Sequence, residues 1–160
     1  MDWHPCDVGD GTQVFEVIRA VRPDRVYHLA GAGGACAPAE LIRTNVQRTW
    51  NLLDACRKAD VERTSVLVVG SAASSGEMDN SETGLGEERP ARPVTFYGCS
   101  RQAALDFGRA AWLEWGLRVF LCRPFNLVGP GLPEKYAAAA LVRRLRDEPR
   151  SFRFAKVSPI

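Results

Sequence analysis

The sequence predicts an α/β fold built on a parallel sheet, and three observations support this class. Short apolar runs alternate along the chain with longer segments whose apolar residues recur every three or four positions. Strands separated by long helices favour parallel pairing with right-handed crossovers. The chain has 160 residues, 46% of them hydrophobic and 25% charged, which is enough apolar material for one domain with a buried core.

These patterns also place the individual elements. Helical spacing predicts helices over residues 13–21, 39–59, 97–115 and 134–146. Short apolar runs predict strands at 26–29, 66–69 and 119–122. The strand at 66–69 is apolar throughout, so we expect it to be covered on both faces. In the helix over 39–59, the expected buried stripe consists of Leu41, Ile42, Val46, Trp50, Leu53 and Cys56.

Charge and hydropathy exclude several classes of protein. Lys and Arg number 21 against 19 Asp and Glu, a net charge of +2, so no nucleic-acid or membrane-surface partner is predicted. No run approaches the ~18 apolar residues of a membrane span, and the first ten residues lack an apolar signal core. We therefore expect a cytoplasmic protein.

The five cysteines form neither a metal pattern nor a disulfide pattern. They occupy positions 6, 36, 56, 99 and 122 without a C-x-x-C pair, and only His4 and His28 accompany them. No metal site is expected from this set. We expect free, buried thiols, with Cys122 in the core because it ends an apolar run.

The loops that follow the predicted strands are the expected location of a ligand site. Ligands of open parallel sheets bind at the carboxyl ends of the strands. Ala30, Gly31 and Ala32 follow the first strand, and such small residues let the backbone approach a ligand closely. The same stretch lacks the third glycine of G-x-G-x-x-G and the G-K-[ST] ending of a phosphate loop, so neither fingerprint is assigned.

Tyr97, Arg101 and Ser71 are the candidate chemical groups. Tyr97 and Arg101 are four residues apart on a helix, which places them on one face, where a fixed cation favours a phenolate. Such a pair is either an ordinary surface pair or a general acid or base. Ser71 directly follows a strand and either caps a turn or hydrogen-bonds a substrate oxygen. A serine hydrolase is disfavoured because Ala73 replaces the second glycine of G-x-S-x-G.

Two aspartates near the start of the chain allow two interpretations. Asp7 and Asp10 precede the first predicted helix, where a carboxylate either contacts a ligand or caps the helix. Capping is favoured by the residues alone, above all for Asp10.

Five segments taken in order resemble the extended short-chain dehydrogenase/reductase family, the NAD-dependent nucleotide-sugar epimerases, dehydratases and reductases. The segments are DVGD at 7–10, PDRVYHLAG at 23–31, NV at 45–46 with NLLDAC at 51–56, YGCSR at 97–101, and RPFN at 123–126 with GPG at 129–131. The resemblance fades after about residue 145. It implies a Rossmann-like fold, a sheet with helices on both faces, and NAD or NADP as cofactor.

The resemblance also implies roles for individual positions. The implied cofactor-binding residues are Asp7, Val8, Ala30, Gly31, Ala32, Asn45 and Pro124. The implied catalytic residues are Ser71, Tyr97 and Arg101, and Asn126 would face the diphosphate of a nucleotide-sugar substrate. The stretch 131–133 and the basic helix after it are similar to reductases of GDP-linked keto-deoxy sugars.

The sequence departs from the family pattern in two ways. The family signature Tyr-x-x-x-Lys has Arg101 at its fifth position, and a planar guanidinium does not reproduce the fit of an ammonium, so we expect impaired turnover. The strand, glycine-rich turn and helix that open the family fold do not precede Met1, and most of the substrate domain is absent after Ile160. We therefore expect an incomplete Rossmann-like domain over 1–130 and the start of a substrate-binding region over 131–160.

Two functions follow from these expectations. The first is an NAD(P)-dependent oxidoreductase in which Tyr97 and Ser71 assist hydride transfer at a sugar carbon, weak or inactive as this chain alone. The second is a non-catalytic partner of a full-length relative. A homodimer through the helices at 39–59 and 97–115 is implied by the resemblance. A third outcome is a chain that does not fold stably by itself.

Overall fold

The computed structural model describes residues 2–33, 35–61, 63–77, 84–134 and 136–147. Contacts divide the chain into one unit over Met1–Phe125 and a second over Asn126–Ile160. The predicted border between residues 130 and 131 is close to this division. The assignment of the two parts to cofactor and substrate stays a prediction.

Three parallel strands form the sheet of the first unit. They are β1 (Arg25–His28), β2 (Ser65–Val69) and β3 (Arg118–Cys122), in the order β1-β2-β3. Val66 of β2 is aligned with Val26 of β1 and Val119 of β3. The predicted α/β class with a parallel sheet is confirmed, and each strand lies within one residue of its predicted bounds.

Helices precede the first strand, connect the strands and follow the last one. They are α1 (Gly11–Val21), α2 (Pro38–Leu41), α3 (Arg48–Lys58), α4 (Phe96–Trp115) and α5 (Ala137–Asp147). A π-helical segment (Ile42–Gln47) joins α2 to α3, and a 3₁₀ turn (Ala72–Ser75) follows β2. The helix predicted over 39–59 is thus three consecutive helical segments.

The core of the first unit lies on one face of the sheet. Val66 and Val68 point into it and are completely buried, and they pack with buried residues of α1, α3 and α4. On the opposite face, Tyr27 is 61% exposed and Phe120 is 62% exposed. The expectation that β2 is covered on both faces is therefore wrong for the described residues, because the helices that contribute to this core pack on a single face.

The buried face of the long helical stretch contains polar residues as well as apolar ones. Leu41, Thr44 and Asn45 are buried and recur at the spacing of one helix face, whereas Ile42 is 60% exposed and Trp50 is 40% exposed. The predicted apolar stripe is correct at Leu41, Leu53 and Cys56 and wrong at Ile42 and Trp50.

A side chain caps the start of α1, and a glycine caps the end of α4. Asp10 caps α1: its carboxylate accepts hydrogen bonds from the backbone N–H of Thr12 (2.9 Å) and of Gln13 (3.2 Å). These bonds hold the pKa of Asp10 below its usual value. The capping interpretation of Asp10 is confirmed. Gly116 ends α4 in the left-handed conformation, with φ of 68°.

Glycines let α4 approach the sheet and the turn after β2. A Cβ on Gly108 would lie 2.8 Å from a methyl carbon of Leu121, and one on Gly70 would lie 2.6 Å from a methyl carbon of Leu105. A larger residue at either position would displace the leucine side chain that it meets, because such separations are far below van der Waals contact.

The cysteines are free, as expected, but mostly not buried. Cys56 is buried, and burial raises the pKa of its thiol to about 11. Cys36 and Cys99 are exposed, and Cys6 and Cys122 are partly exposed. The prediction of buried thiols is wrong at these positions. Cys122 is not a core residue because it belongs to β3, whose alternate residues face away from the packed helices.

The second unit contains the amphipathic helix α5. Arg143 on α5 forms ion pairs with Glu134 and, at 3.4 Å, with Asp147. The helix predicted over 134–146 begins three residues later than expected, at Ala137.

Replacing Gly116 with alanine is expected to lower the free energy of unfolding by about 1 kcal/mol, because an L residue is strained in the left-handed region. Denaturant titration of Gly116→Ala measures the loss. Gly84→Ala is the matched control, since Gly84 has open space around it and no positive φ, and its change is expected within about 0.5 kcal/mol. Equal losses in the two variants would contradict the cap.

Candidate active site

Backbone hydrogen bonds continue beyond the ends of β2 and β3 and align the loops there. The N–H of Gly70 donates to the carbonyl of Cys122 at 2.7 Å, and the N–H of Ala72 donates to the carbonyl of Pro124 at 3.0 Å. Ser71 and Pro124 are thereby fixed at the same carboxyl edge of the sheet. This is the edge where the sequence predicted a ligand site.

Ser71 is the cap of the 3₁₀ turn. Its Oγ accepts a hydrogen bond from the N–H of Ala73 at 3.2 Å, and the side chain is partly buried. The capping interpretation is therefore correct. A hydroxyl that accepts one bond still carries a proton to donate, so capping leaves a substrate contact available. The catalytic role of Ser71 stays a prediction.

The first turn of α4 brings Tyr97 to the turn that carries Ser71. Thr95 caps α4 by accepting from the N–H of Gly98 at 3.0 Å. A Cβ on Gly98 would lie 2.5 Å from the carbonyl oxygen of Ala73, so the two segments are in direct backbone contact. Tyr97 is partly buried beside this contact.

Arg101 extends from α4 toward the sheet. Its Cζ is 5.5 Å from the centre of the Tyr97 ring, which confirms that the two side chains share a helix face. Its Nη1 donates to the carbonyl of Val69 at 3.2 Å and its Nη2 to the carbonyl of Ala32 at 3.5 Å. The positive charge therefore lies between the carboxyl ends of β1 and β2.

A fully buried amide links the loop after β1 to α4. Asn45 accepts from the N–H of Ala32 at 2.8 Å and donates to the carbonyl of Ala32 at 3.3 Å. It also donates to Ser100 Oγ at 2.9 Å, and Ser100 Oγ donates to the carbonyl of Tyr97 at 2.8 Å. Sequence reasoning missed Ser100. The signal that could have found it is a serine placed three residues after Tyr97 in a helix, because a serine hydroxyl can donate to the carbonyl three or four residues earlier.

His28 at the end of β1 is a buried, neutral histidine. Thr49 Oγ1 donates to the carbonyl of Asn45 at 2.7 Å, so the 3.0 Å contact between His28 Nε2 and Thr49 Oγ1 requires a proton on Nε2. Burial, followed by the positive charges of Arg101 and Arg48, lowers the pKa of His28 to about 4.

The loop before α1 is tied to α3. Asp7 Oδ1 accepts from the N–H of Gly9 at 2.8 Å and lies 3.7 Å from Nη2 of Arg48. Asn51 donates to the carbonyls of Val8 and Gly9, each at 3.0 Å. The Asp7 side chain is exposed. Contact of Asp7 and Val8 with an adenine stays a prediction.

Asn126 belongs to the second unit, so its role toward a substrate diphosphate also stays a prediction. Within the described parts of the chain, no three His, Cys, Asp or Glu residues are grouped as metal ligands would be. The helices described include none with the length and apolar character needed to span a membrane.

Comparison with known proteins identifies the family. Residues 2–153 match the model of the NAD dependent epimerase/dehydratase family. The chain belongs to this family. The match covers nearly the whole chain, which confirms the resemblance drawn from the five segments.

Relatives in this epimerase/dehydratase family are longer than the chain. GDP-6-deoxy-D-mannose reductase of Pseudomonas aeruginosa is 30% identical in an alignment of 131 residues, which covers 77% of this chain and 41% of the relative. UDP-glucose 4-epimerase of Azospirillum brasilense is 29% identical, over 77% of this chain and 35% of the relative. The chain thus spans less than half the length of these curated relatives.

Solved structures of epimerase/dehydratase enzymes share the fold. RMD from Pseudomonas aeruginosa complexed with NADPH superposes with a TM-score of 0.79 at 26% identity, covering 90% of this chain and 50% of that one. UDP-glucose 4-epimerase of Thermus thermophilus, in complex with NAD, has a TM-score of 0.75 at 26% identity, covering 86% and 45%. These likenesses support the Rossmann-like fold expected from the sequence.

The depressed pKa of His28 makes stability dependent on pH. The folded-state pKa of His28 is about 4, whereas its unfolded-state value is near 6.5. Above pH 6.5 the imidazole is neutral in both states, and the free energy of unfolding does not depend on it. As the pH falls toward 4, the unfolded chain binds a proton more readily than the folded chain, and the free energy of unfolding decreases by about 3 kcal/mol in all. NMR titration measures the pKa directly, and His4→Ala removes the other histidine signal as a control. A His28 pKa near 6.5 in the folded chain would contradict the burial of the imidazole.

Proposed function

We propose that the polypeptide acts as an NAD(P)-dependent oxidoreductase on a nucleotide sugar, with Tyr97 and Ser71 assisting hydride transfer at a sugar carbon. The observation that supports this proposal is the backbone contact between Gly98 and Ala73. It brings the segments carrying the two hydroxyl groups together at the carboxyl edge of the sheet. Relatives with this fold include a GDP-sugar reductase and a UDP-sugar epimerase, so the proposal extends to the nucleotide-sugar class.

The residues at this edge fit a dinucleotide. Gly31 presents backbone without a side chain, and Ala30 and Ala32 beside it are equally small. Ala30, Gly31 and Ala32 would line the dinucleotide, Pro124 would pack by the nicotinamide, and Asp7 and Val8 would contact the adenine. The buried Asn45 would act through its hydrogen bonds to Ala32. NAD or NADP supplies the hydride acceptor or donor when bound. The distinction between NAD and NADP stays open.

The chain's own residues would move the proton. The Tyr97 hydroxyl would exchange a proton with the sugar oxygen as that oxygen changes between hydroxyl and carbonyl. The Ser71 hydroxyl would donate a hydrogen bond to the same oxygen and orient it. Asn45 and Ser100 would hold the first turn of α4 through the carbonyl of Tyr97. Asn126 would contact the diphosphate. We propose a cytoplasmic location for this chemistry.

Removing the Tyr97 hydroxyl tests the assignment. Tyr97→Phe is expected to lower turnover of a nucleotide sugar by about 10²- to 10⁴-fold with little effect on the melting temperature. NAD(P)H absorbance with UDP-, GDP- and dTDP-linked sugars measures the rate. Tyr27→Phe is the matched control, because Tyr27 is exposed on the sheet, and its rate is expected to equal that of the wild type. Equal rates in Tyr97→Phe and wild type would disprove the role.

A second candidate function is that of a non-catalytic partner of a full-length relative. Aromatic residues on α3 and α4 favour it: Trp50 and Phe107 are exposed and Trp115 is partly buried. The ring centre of Trp50 is 5.7 Å from that of Phe107 and 5.5 Å from that of Trp115. We call these three residues the helix patch. An exposed patch of this kind is suited to association with the same surface of a second chain. Absence of turnover together with a stable complex with a full-length relative would favour this function over catalysis.

A charged substitution within the helix patch tests whether the chain forms a homodimer through it. The wild type is expected to elute with twice the 17.6 kDa of one chain, and Phe107→Arg as a monomer, because an unpaired charge is costly to bury. Light scattering measures the mass. Phe120→Arg introduces the same charge on the sheet face and is expected to stay dimeric. A dimeric Phe107→Arg, or a monomeric wild type, would exclude this interface.

A further inference from the structure

Arg101 bridges two segments that border the proposed cofactor crevice. Its guanidinium donates to the last residue of β2, Val69, and to Ala32 in the loop after β1. Ligands of parallel sheets bind in the crevice outside such strand ends. The guanidinium therefore lies across the crevice instead of extending along its wall.

Gly31 is the surface against which the guanidinium packs. A Cβ on Gly31 would lie 2.3 Å from Nη2, 2.7 Å from Nη1 and 2.8 Å from Cζ of Arg101. Gly31 does not have a positive φ, so backbone conformation is not what favours glycine there. Glycine at position 31 instead leaves the space that the guanidinium of Arg101 occupies.

The guanidinium of Arg101 has hydrogen-bond partners at Nη1 and Nη2 but not at Nε. Its Nε is buried and has no hydrogen-bond partner, and among the described residues no carboxylate forms an ion pair with it. A buried donor without a partner lowers the stability of the arrangement. The side chain can consequently be displaced at a smaller cost than a fully bonded arginine.

We propose that Arg101 is a positioning residue that closes the crevice, so that a dinucleotide reaches the backbone of Gly31 only after the guanidinium has left it. The inference rests on the proposed function for the identity of the ligand. A lysine at this position carries one compact ammonium and has no planar fork to bridge both carbonyls. Arg101→Lys therefore opens the crevice while keeping the charge.

Binding measurements test the closure. NADH and NADPH are titrated by calorimetry into the wild type and Arg101→Lys, and the better ligand is expected to bind the variant about tenfold more tightly, because less of the protein is in the closed form. Arg57→Lys is the matched control, an exposed arginine paired with Asp54 on α3, and is expected to bind as the wild type does.

A double-mutant cycle tests the contact itself. Gly31→Ala is expected to lower the melting temperature by about 2–4 °C in the wild type, because the added methyl displaces only the end of the Arg101 side chain, and by less than half as much beside Arg101→Lys. Gly33→Ala, in the same loop with open space around it, is expected to have the same small effect in both backgrounds. If Gly31→Ala does not fold, folding of the double variant demonstrates the coupling, and failure of both overturns it.

The outcomes separate this inference from the proposed function. Equal effects of Gly31→Ala in the two backgrounds overturn the inference, whatever binds. If Gly31 and Arg101 are coupled but Arg101→Lys does not bind a dinucleotide more tightly, the inference is also overturned. The proposed function still stands in that case if turnover depends on Tyr97. If neither protein binds either dinucleotide and no turnover occurs, both fail.

Discussion

The buried amide of Asn45 is the interaction on which the geometry of the site depends. A primary amide removed from water must find partners for its oxygen and its two N–H groups, and Asn45 is completely buried. Its partners are the backbone of Ala32 on one side and Ser100 on the other. Because these belong to the loop after β1 and to the start of α4, one side chain fixes the spacing between these two segments. A shift of either segment would leave a buried polar group unsatisfied.

Close backbone packing supplies the second constraint. Gly98 contacts the turn after β2, and Gly108 lets α4 lie directly on β3. Hydrogen bonds continuing from β2 and β3 hold Ser71 and Pro124 in line with the strands. The candidate site is therefore assembled from main chain to a large extent. Substitutions of small residues at these contacts would move Tyr97 relative to Ser71 without touching either hydroxyl group.

The strands, the capping of α1 by Asp10 and the edge of the sheet that carries the site follow from local patterns. Apolar runs, turn residues and the carboxyl-edge rule depend on few neighbours, so a single sequence is sufficient to predict them. The π-helical segment could not be predicted, because the apolar pattern does not distinguish it from an α-helix. The exposure of Ile42 and Trp50 could not be predicted from apolar residues alone, because the buried face of this stretch includes the polar residues Thr44 and Asn45. The position of Arg101 across Gly31 depends on two segments far apart in the chain, and no periodicity connects them.

The distribution of tryptophan has an optical consequence. Of the four indoles in the chain, Trp3 is largely solvated and Trp50, Trp112 and Trp115 lie on α3 and α4. None belongs to the sheet. Trp50 and Trp112 are exposed, whereas Trp115 is partly buried against the core. Intrinsic emission therefore monitors α3 and α4, and Trp115 is the indole that responds to a change in the core beneath them.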